Sequence, residues 1–252
     1  MGPLDQTTGR GTDLNLASAS ARSPAPATRL SRFAFFADFY AYPAAAAIFV
    51  VLAFASNPKR WIISLLAIVT GVASWSFAEY LLHRYVLHHV SWVKEQHEVH
   101  HHDQMALVGT PTWFSLLVFS ALVTLPALLV SSIEIAAGFT AGMMLGYLWY
   151  VTAHYGMHHK RINSSGYLGR LRRRHALHHH FDDRGNFGVT TGFWDHMFRT
   201  TLKAETLGLE AGILGNASHH IDTVADGRRR PVKEDRVPRR REAANAREPG
   251  KS

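Results

Sequence analysis

The sequence predicts an all-α integral membrane protein, a four-helix transmembrane bundle whose inner ends carry a histidine-rich helical cap. Three observations lead there. Four apolar runs each approach the roughly 20 residues needed to cross a hydrocarbon layer. Lys and Arg gather before the first run and after the fourth, which sets a single orientation. Histidines recur at helical spacings in the two segments that this orientation puts on one face of the membrane.

Residues 1–32 are rich in Ser, Thr, Ala, Gly and Pro without a continuous apolar stretch, so they read as a disordered tail and not as a signal peptide. The first span is expected at about 33–55, made imperfect by Asp38 and Pro43. After "SNPKR" the second runs over about 61–82 and holds no charge before Glu79. The third and fourth, at about 112–132 and 135–156, are separated only by "IE" and form a tight hairpin. Pro126 is placed to kink the third span. Gly138, Gly142 and Gly146 recur every four residues, so the fourth presents a smooth stripe to a neighbour.

Arg10, Arg22, Arg29 and Arg32 precede the first span, and Lys160, Arg161, Arg170 and Arg172 to Arg174 follow the fourth, whereas the outer turns hold only Lys59 and Arg60. Both termini are therefore expected in the cytoplasm, together with a cap formed by residues 83–111 and 157–202. A single membrane domain over 33–202 is expected, followed by a polar, mostly disordered basic tail over 203–252 that is placed to touch anionic lipid. Its arginines are not interleaved with stacking aromatics, so the net charge of +8 is not read as nucleic-acid binding. The mean hydropathy of −0.06 averages these polar tails with a far more apolar middle.

The chain has no cysteine, so any metal must be held by nitrogen or oxygen. His97, His100 and His101 lie three and four apart, as do His175, His178 and His179, so each triplet shares a helical face. His154 and His158 are a further same-face pair. His83 and His88 are five apart, diverge on a regular helix, and suit bridging toward two ions. Ten such histidines exceed the four ligands of a tetrahedral zinc site, and two ions sharing them is the natural count. Imidazole suits iron, copper, nickel and zinc alike, so spacing leaves the metal open.

Glu79, one turn before His83, and Asp195 in "FWD" are candidate outer acceptors that orient a ligand imidazole. His89, His102, His159 and His180 adjoin the spaced positions and read as outer neighbours of the ligands or as incidental residues, and His196, His219 and His220 read as surface or satisfied core residues. Trp113, Tyr147, Trp149 and Tyr150 line a lipid path or anchor the membrane interface. A membrane metal-binding or metal-transport protein is the competing reading, but passing an ion needs ionisable groups in midspan, and these are scarce.

The strings "AEYLLHRYVLH", "HEVHH", "HYGMH" and "HALHHHFDDRGNFGVTTGFWDHMFRTTL" resemble the fatty acid hydroxylase superfamily, membrane diiron proteins that include sterol desaturases and fatty acid 2-hydroxylases. The likeness covers Glu79 to Leu202, and the closing "NFGVTTGFWDHMF" looks most like the 2-hydroxylase branch. The resemblance implies metal ligands at His83, His88, His97, His100, His101, His154, His158, His175, His178 and His179. It implies two iron ions, replaceable by zinc in a purified protein, with dioxygen as co-substrate and a fatty acyl chain of a bilayer lipid as substrate. Sterol or carotenoid hydroxylation or desaturation is the alternative within the superfamily. No haem-binding cytochrome domain is expected in the short amino-terminal tail, so electrons would come from a separate ferredoxin- or cytochrome-type donor and its reductase.

Overall fold

The computed structural model describes residues 29–163 and 165–203. The two tail expectations, and those for His219 and His220, concern residues outside this set, save for the few tail residues nearest the membrane domain. Among the described residues all regular structure is helical apart from one isolated bridge, Arg29 to Val108. Four helical stretches are long and apolar enough to span a membrane: Arg32–Ser56, Pro58–Leu87, Thr112–Val130 and Ile133–His159. The chain is a membrane protein.

The first span is a short α1 (Arg32–Phe36), capped by the Ser31 hydroxyl, followed by α2 (Asp38–Ser56). The imperfection at Asp38 is a buried polar joint. The Asp38 carboxylate accepts from Thr112 Oγ1 at 2.5 Å and from the Tyr147 hydroxyl, tying the first span to the third and fourth. Such partners are what make a carboxylate tolerable beside lipid.

The second span is α3 (Trp61–Leu81), which continues through a widened, π-helical turn at Leu82–Leu87. On the cap, α4 (Ser91–His102) follows. The third span comprises α5 (Thr112–Phe119), a π-helical turn at Ser120–Thr124, and α6 (Leu125–Val130). Pro126 sits immediately after that turn, where its missing N–H removes a regular i→i−4 bond.

The fourth span, α7 (Ile133–His159), begins earlier than the apolar run suggests. The hairpin connection is Ser131 and Ser132, not "IE". Glu134 lies in the first turn of α7, where its negative charge complements the helix N-terminus, and it accepts from Arg60 at 2.5 Å. The cap is completed by α8 (Tyr167–His180) and α9 (Phe193–Met197).

The glycine stripe of α7 packs on α3. A Cβ at Gly142 would stand 2.0 Å from the Ile68 carbonyl oxygen, and one at Gly71 would stand 2.3 Å from that of Phe139. Lipid tails are as apolar as leucine, so helices in a bilayer gain from close backbone approach more than from expelling water. An aromatic cluster of Tyr42, Trp75, Phe119 and Tyr147 fills the bundle toward the cap. Outward residues are apolar: Leu122 and Leu129 are 72% and 76% exposed, which suits acyl chains and not water.

Candidate metal centre

The ends of α3 and α7 meet α4 and α8, and there the ten spaced histidines converge as two groups of five. The first comprises His83, His88, His97, His101 and His178, and the second His100, His154, His158, His175 and His179. Within each group the donor nitrogens lie within 4.8 Å of one another. Each group takes one pair from a span, one pair from a cap helix and a single ring from the other cap helix.

This partition differs from the one that spacing suggests. Each triplet is divided, because positions four apart share a group while the third ring turns to the other: His97 and His101 against His100, and His175 and His179 against His178. His83 and His88, expected to diverge, belong to one group and stack at 5.2 Å between ring centroids. The widened turn between them is the reason, since its i→i+5 bonding brings positions five apart onto one face. The groups touch where His101 stacks on His179, with centroids 4.2 Å apart.

The residues fit metal ions. Nitrogens on opposite sides of one ion, bound at about 2.0–2.1 Å, stand roughly 4 Å apart, close to the spread of each group. Nε2 of His83 faces Nε2 of His97 at 3.1 Å, and Nε2 of His158 faces that of His175 at 2.9 Å. Both ring nitrogens of His179 and Nδ1 of His175 are buried without a protein partner.

Electrostatics favour neutral rings, the form that binds metal. Burial, and after it the neighbouring imidazoles, pushes His100 down to about 4 and His101 to about 3. Burial also lowers His178 to about 4, against the opposing pull of the Gly185 carbonyl. His88, His97, His175 and His179 are lowered for the same leading reason.

Among the described residues the hydrogen-bond partners of the Glu79 and Asp195 carboxylates include no imidazole. Glu79 accepts from the backbone N–H groups of Val189 at 2.6 Å and Thr190 at 2.8 Å, and from the Thr190 hydroxyl at 2.5 Å. Asp195 accepts from the N–H groups of Phe187 and Gly188, both at 2.9 Å, from Thr200 Oγ1 and from Arg174. Both carboxylates therefore fix one loop. That loop carries the groups that do orient imidazoles: His83 Nδ1 donates to the Phe187 carbonyl at 2.6 Å, and His178 Nδ1 to that of Gly185 at 2.8 Å. With Nδ1 protonated, each Nε2 is left as a lone pair facing the group.

In the second group Gln104 Oε1 lies 3.2 Å from His158 Nδ1, and Gln104 Nε2 lies 3.0 Å from His180. His180 is thus an outer neighbour. His159 stacks on Tyr155, and His89, His102 and His196 are exposed outside both groups.

A cleft of about 350 Å³ lies between α3, α7 and the loop before α9, lined by residues including Val72, Ala73, Trp75, Ser76, Gly146 and Trp149. The Trp75 ring, which lines the cleft, has its centroid 6.2 Å from that of Tyr150, and Tyr150 stacks on His154 with centroids 5.6 Å apart, so a run of rings connects the cleft to the second group. Of the other aromatics proposed for a lipid path, Tyr147 is engaged with Asp38, while Trp113 is exposed and contacts Phe114.

A family model described as fatty acid hydroxylase matches residues 68–200, more than half of the chain and all ten clustered histidines. The chain belongs to the fatty acid hydroxylase family. Among relatives in this family, a ceramide very long chain fatty acid hydroxylase, SCS7, of Saccharomyces cerevisiae is 33% identical over 52% of this chain and 37% of its own length. A dihydroceramide fatty acyl 2-hydroxylase, FAH1, of Arabidopsis thaliana is 34% identical over 54% of this chain and 62% of its own. The fatty acid 2-hydroxylase of Mus musculus is 30% identical over 54% and 40% respectively. The chain thus spans between about two fifths and three fifths of the length of these relatives. A solved structure of scs7p, in which only the hydroxylase domain is visible, shares the fold: TM-score 0.58, 24% identity, covering 68% of this chain and 67% of that one.

The spaced histidines were accessible to sequence reasoning, but the Gly185 and Phe187 carbonyls and Gln104 were not. A backbone acceptor has no residue identity. The nearest signal is the "GNFG" string, where a Cβ at Gly188 would stand 2.0 Å from the Thr191 carbonyl oxygen and Asn186 adopts φ 56°.

Proposed function

We propose that this chain is a membrane diiron monooxygenase that hydroxylates the acyl chain of a bilayer lipid. The observation that carries this reading is the pair of touching five-imidazole groups at one end of a four-span bundle. The 2-hydroxylase names of the relatives support a fatty acyl substrate.

On this reading the ten histidines hold two irons. Bound iron supplies activation of dioxygen and attack on an unreactive carbon–hydrogen bond. The chain's residues do the rest. The Phe187 and Gly185 carbonyls hold the protons on Nδ1 of His83 and His178, which keeps both Nε2 atoms available. Burial keeps the rings neutral and water away. The cleft between α3 and α7 admits the acyl chain from the bilayer, and Trp75 with Tyr150 positions it beside His154.

The clusters Lys160, Arg161 and Arg172 to Arg174 support placing the metal centre and both termini in the cytoplasm, where a separate electron donor has access. The division into a membrane domain over 33–202 flanked by polar tails belongs to the same reading. Purified chain in lipid-free maltoside detergent, loaded with iron and given a reductase system, should consume dioxygen only when acylated lipid is added. Metal binding without lipid-dependent oxygen uptake would favour a metal carrier instead.

A further inference from the structure

The two histidine groups have different surroundings. In the first, His83 and His178 are tied through Nδ1 to carbonyls of a single loop, at 2.6 and 2.8 Å. That loop is fixed from both sides by buried carboxylates, Glu79 at 3% exposure and Asp195 at 0%. Asn186 locks it further by receiving Leu202 N–H and donating to the Arg174 and Leu202 carbonyls. In the second group the matching support is one partly exposed side chain, Gln104, bonded at 3.2 Å, while His175 Nδ1 and both nitrogens of His179 have no protein partner.

Outer partners that fix ring orientation are worth about 10–100-fold in metal affinity. A rigid loop holding two rings delivers that gain to one group alone. We propose that the two metal positions are unequal, the first group being a tight, preorganised site and the second a weaker, exchangeable one. Glu79 is a positioning residue for the tight site, acting through the loop at a distance from the ion. The inference rests on the metal-centre reading above.

Repulsion between two dications would separate stepwise affinities even at identical sites, so the test uses one site at a time. Full-length chain carrying His154→Ala and His158→Ala retains the first group, and chain carrying His83→Ala and His88→Ala retains the second. Zinc affinity is measured for each by competition with a chromophoric chelator. The first-group protein is expected to bind at least about 10-fold more tightly. Adding Glu79→Ala should remove that advantage there, leave the second-group protein unchanged, and be rescued by Glu79→Gln, whose amide oxygen still accepts from Val189 and Thr190.

A second measurement needs only single substitutions. Under graded chelator, wild-type chain should lose its two zinc ions at widely separated chelator strengths, and Glu79→Ala should narrow that separation to what repulsion between the two ions leaves. Equal affinities in the one-site proteins, or a Glu79→Ala effect of the same size in both, overturns the inference while leaving the metal centre intact. A wild-type chain that binds no zinc overturns the metal centre itself and the inference with it.

Discussion

His83 and His88 present their rings to one metal group although five residues separate them, because the turn that carries them is π-helical. His83→Ala and His88→Ala should therefore lower occupancy of the same site. Metal-to-protein ratios from mass spectrometry are expected to fall by at most one ion in either variant and by no more in the double variant. Loss of a second ion in the double variant would mean that the two rings serve different ions.

The α3–α7 contact predicts a sharp contrast between two glycines. Gly142→Ala places a methyl group 2.0 Å from a backbone oxygen, whereas a Cβ at Gly166 meets nothing within 4 Å. Overpacking of this kind costs about 1–3 kcal/mol. Thermal unfolding in detergent should occur at a clearly lower temperature for Gly142→Ala and fall much less for Gly166→Ala, which forfeits only the preference for glycine at the N-cap of α8.

How far the sequence could be read follows from these two cases. Apolar length located all four spans, and the four-residue spacing of Gly138, Gly142 and Gly146 marked a helix contact, although not its partner Gly71. The ten histidines converge, but their division into groups was hidden. Regular helical geometry groups His97 with both His100 and His101, and only the placement of four helices around two points separates them. The roles of Glu79 and Asp195 were hidden because their effect passes through backbone carbonyls, which no residue letter encodes.

The lowered imidazoles of the cap predict acid sensitivity. A ring held near 4 in the folded chain, against an ordinary 6.5, takes up its proton more readily when unfolded. Its contribution to stability is thus fully present above 6.5 and is lost as pH falls from there toward 4. Metal-free protein should keep a steady unfolding temperature from about pH 8 to 7 and lose stability progressively below about 6.5. An unchanged unfolding temperature down to pH 5 would show that these rings are solvated.

The cleft between α3 and α7 predicts a separation of activity from metal content. Ala73 lines the cleft and is exposed. Ala73→Phe should fill it, reducing hydroxylation of long acyl chains several-fold with both metals retained. Unchanged turnover would place the acyl path elsewhere.

If ten imidazoles build one two-ion centre, elemental analysis combined with X-ray absorption on zinc-loaded chain will show it. Two ions per chain are expected, each in a nitrogen shell at roughly 2.0–2.1 Å with imidazole scattering beyond it. A single ion, or a shell dominated by oxygen, would contradict it.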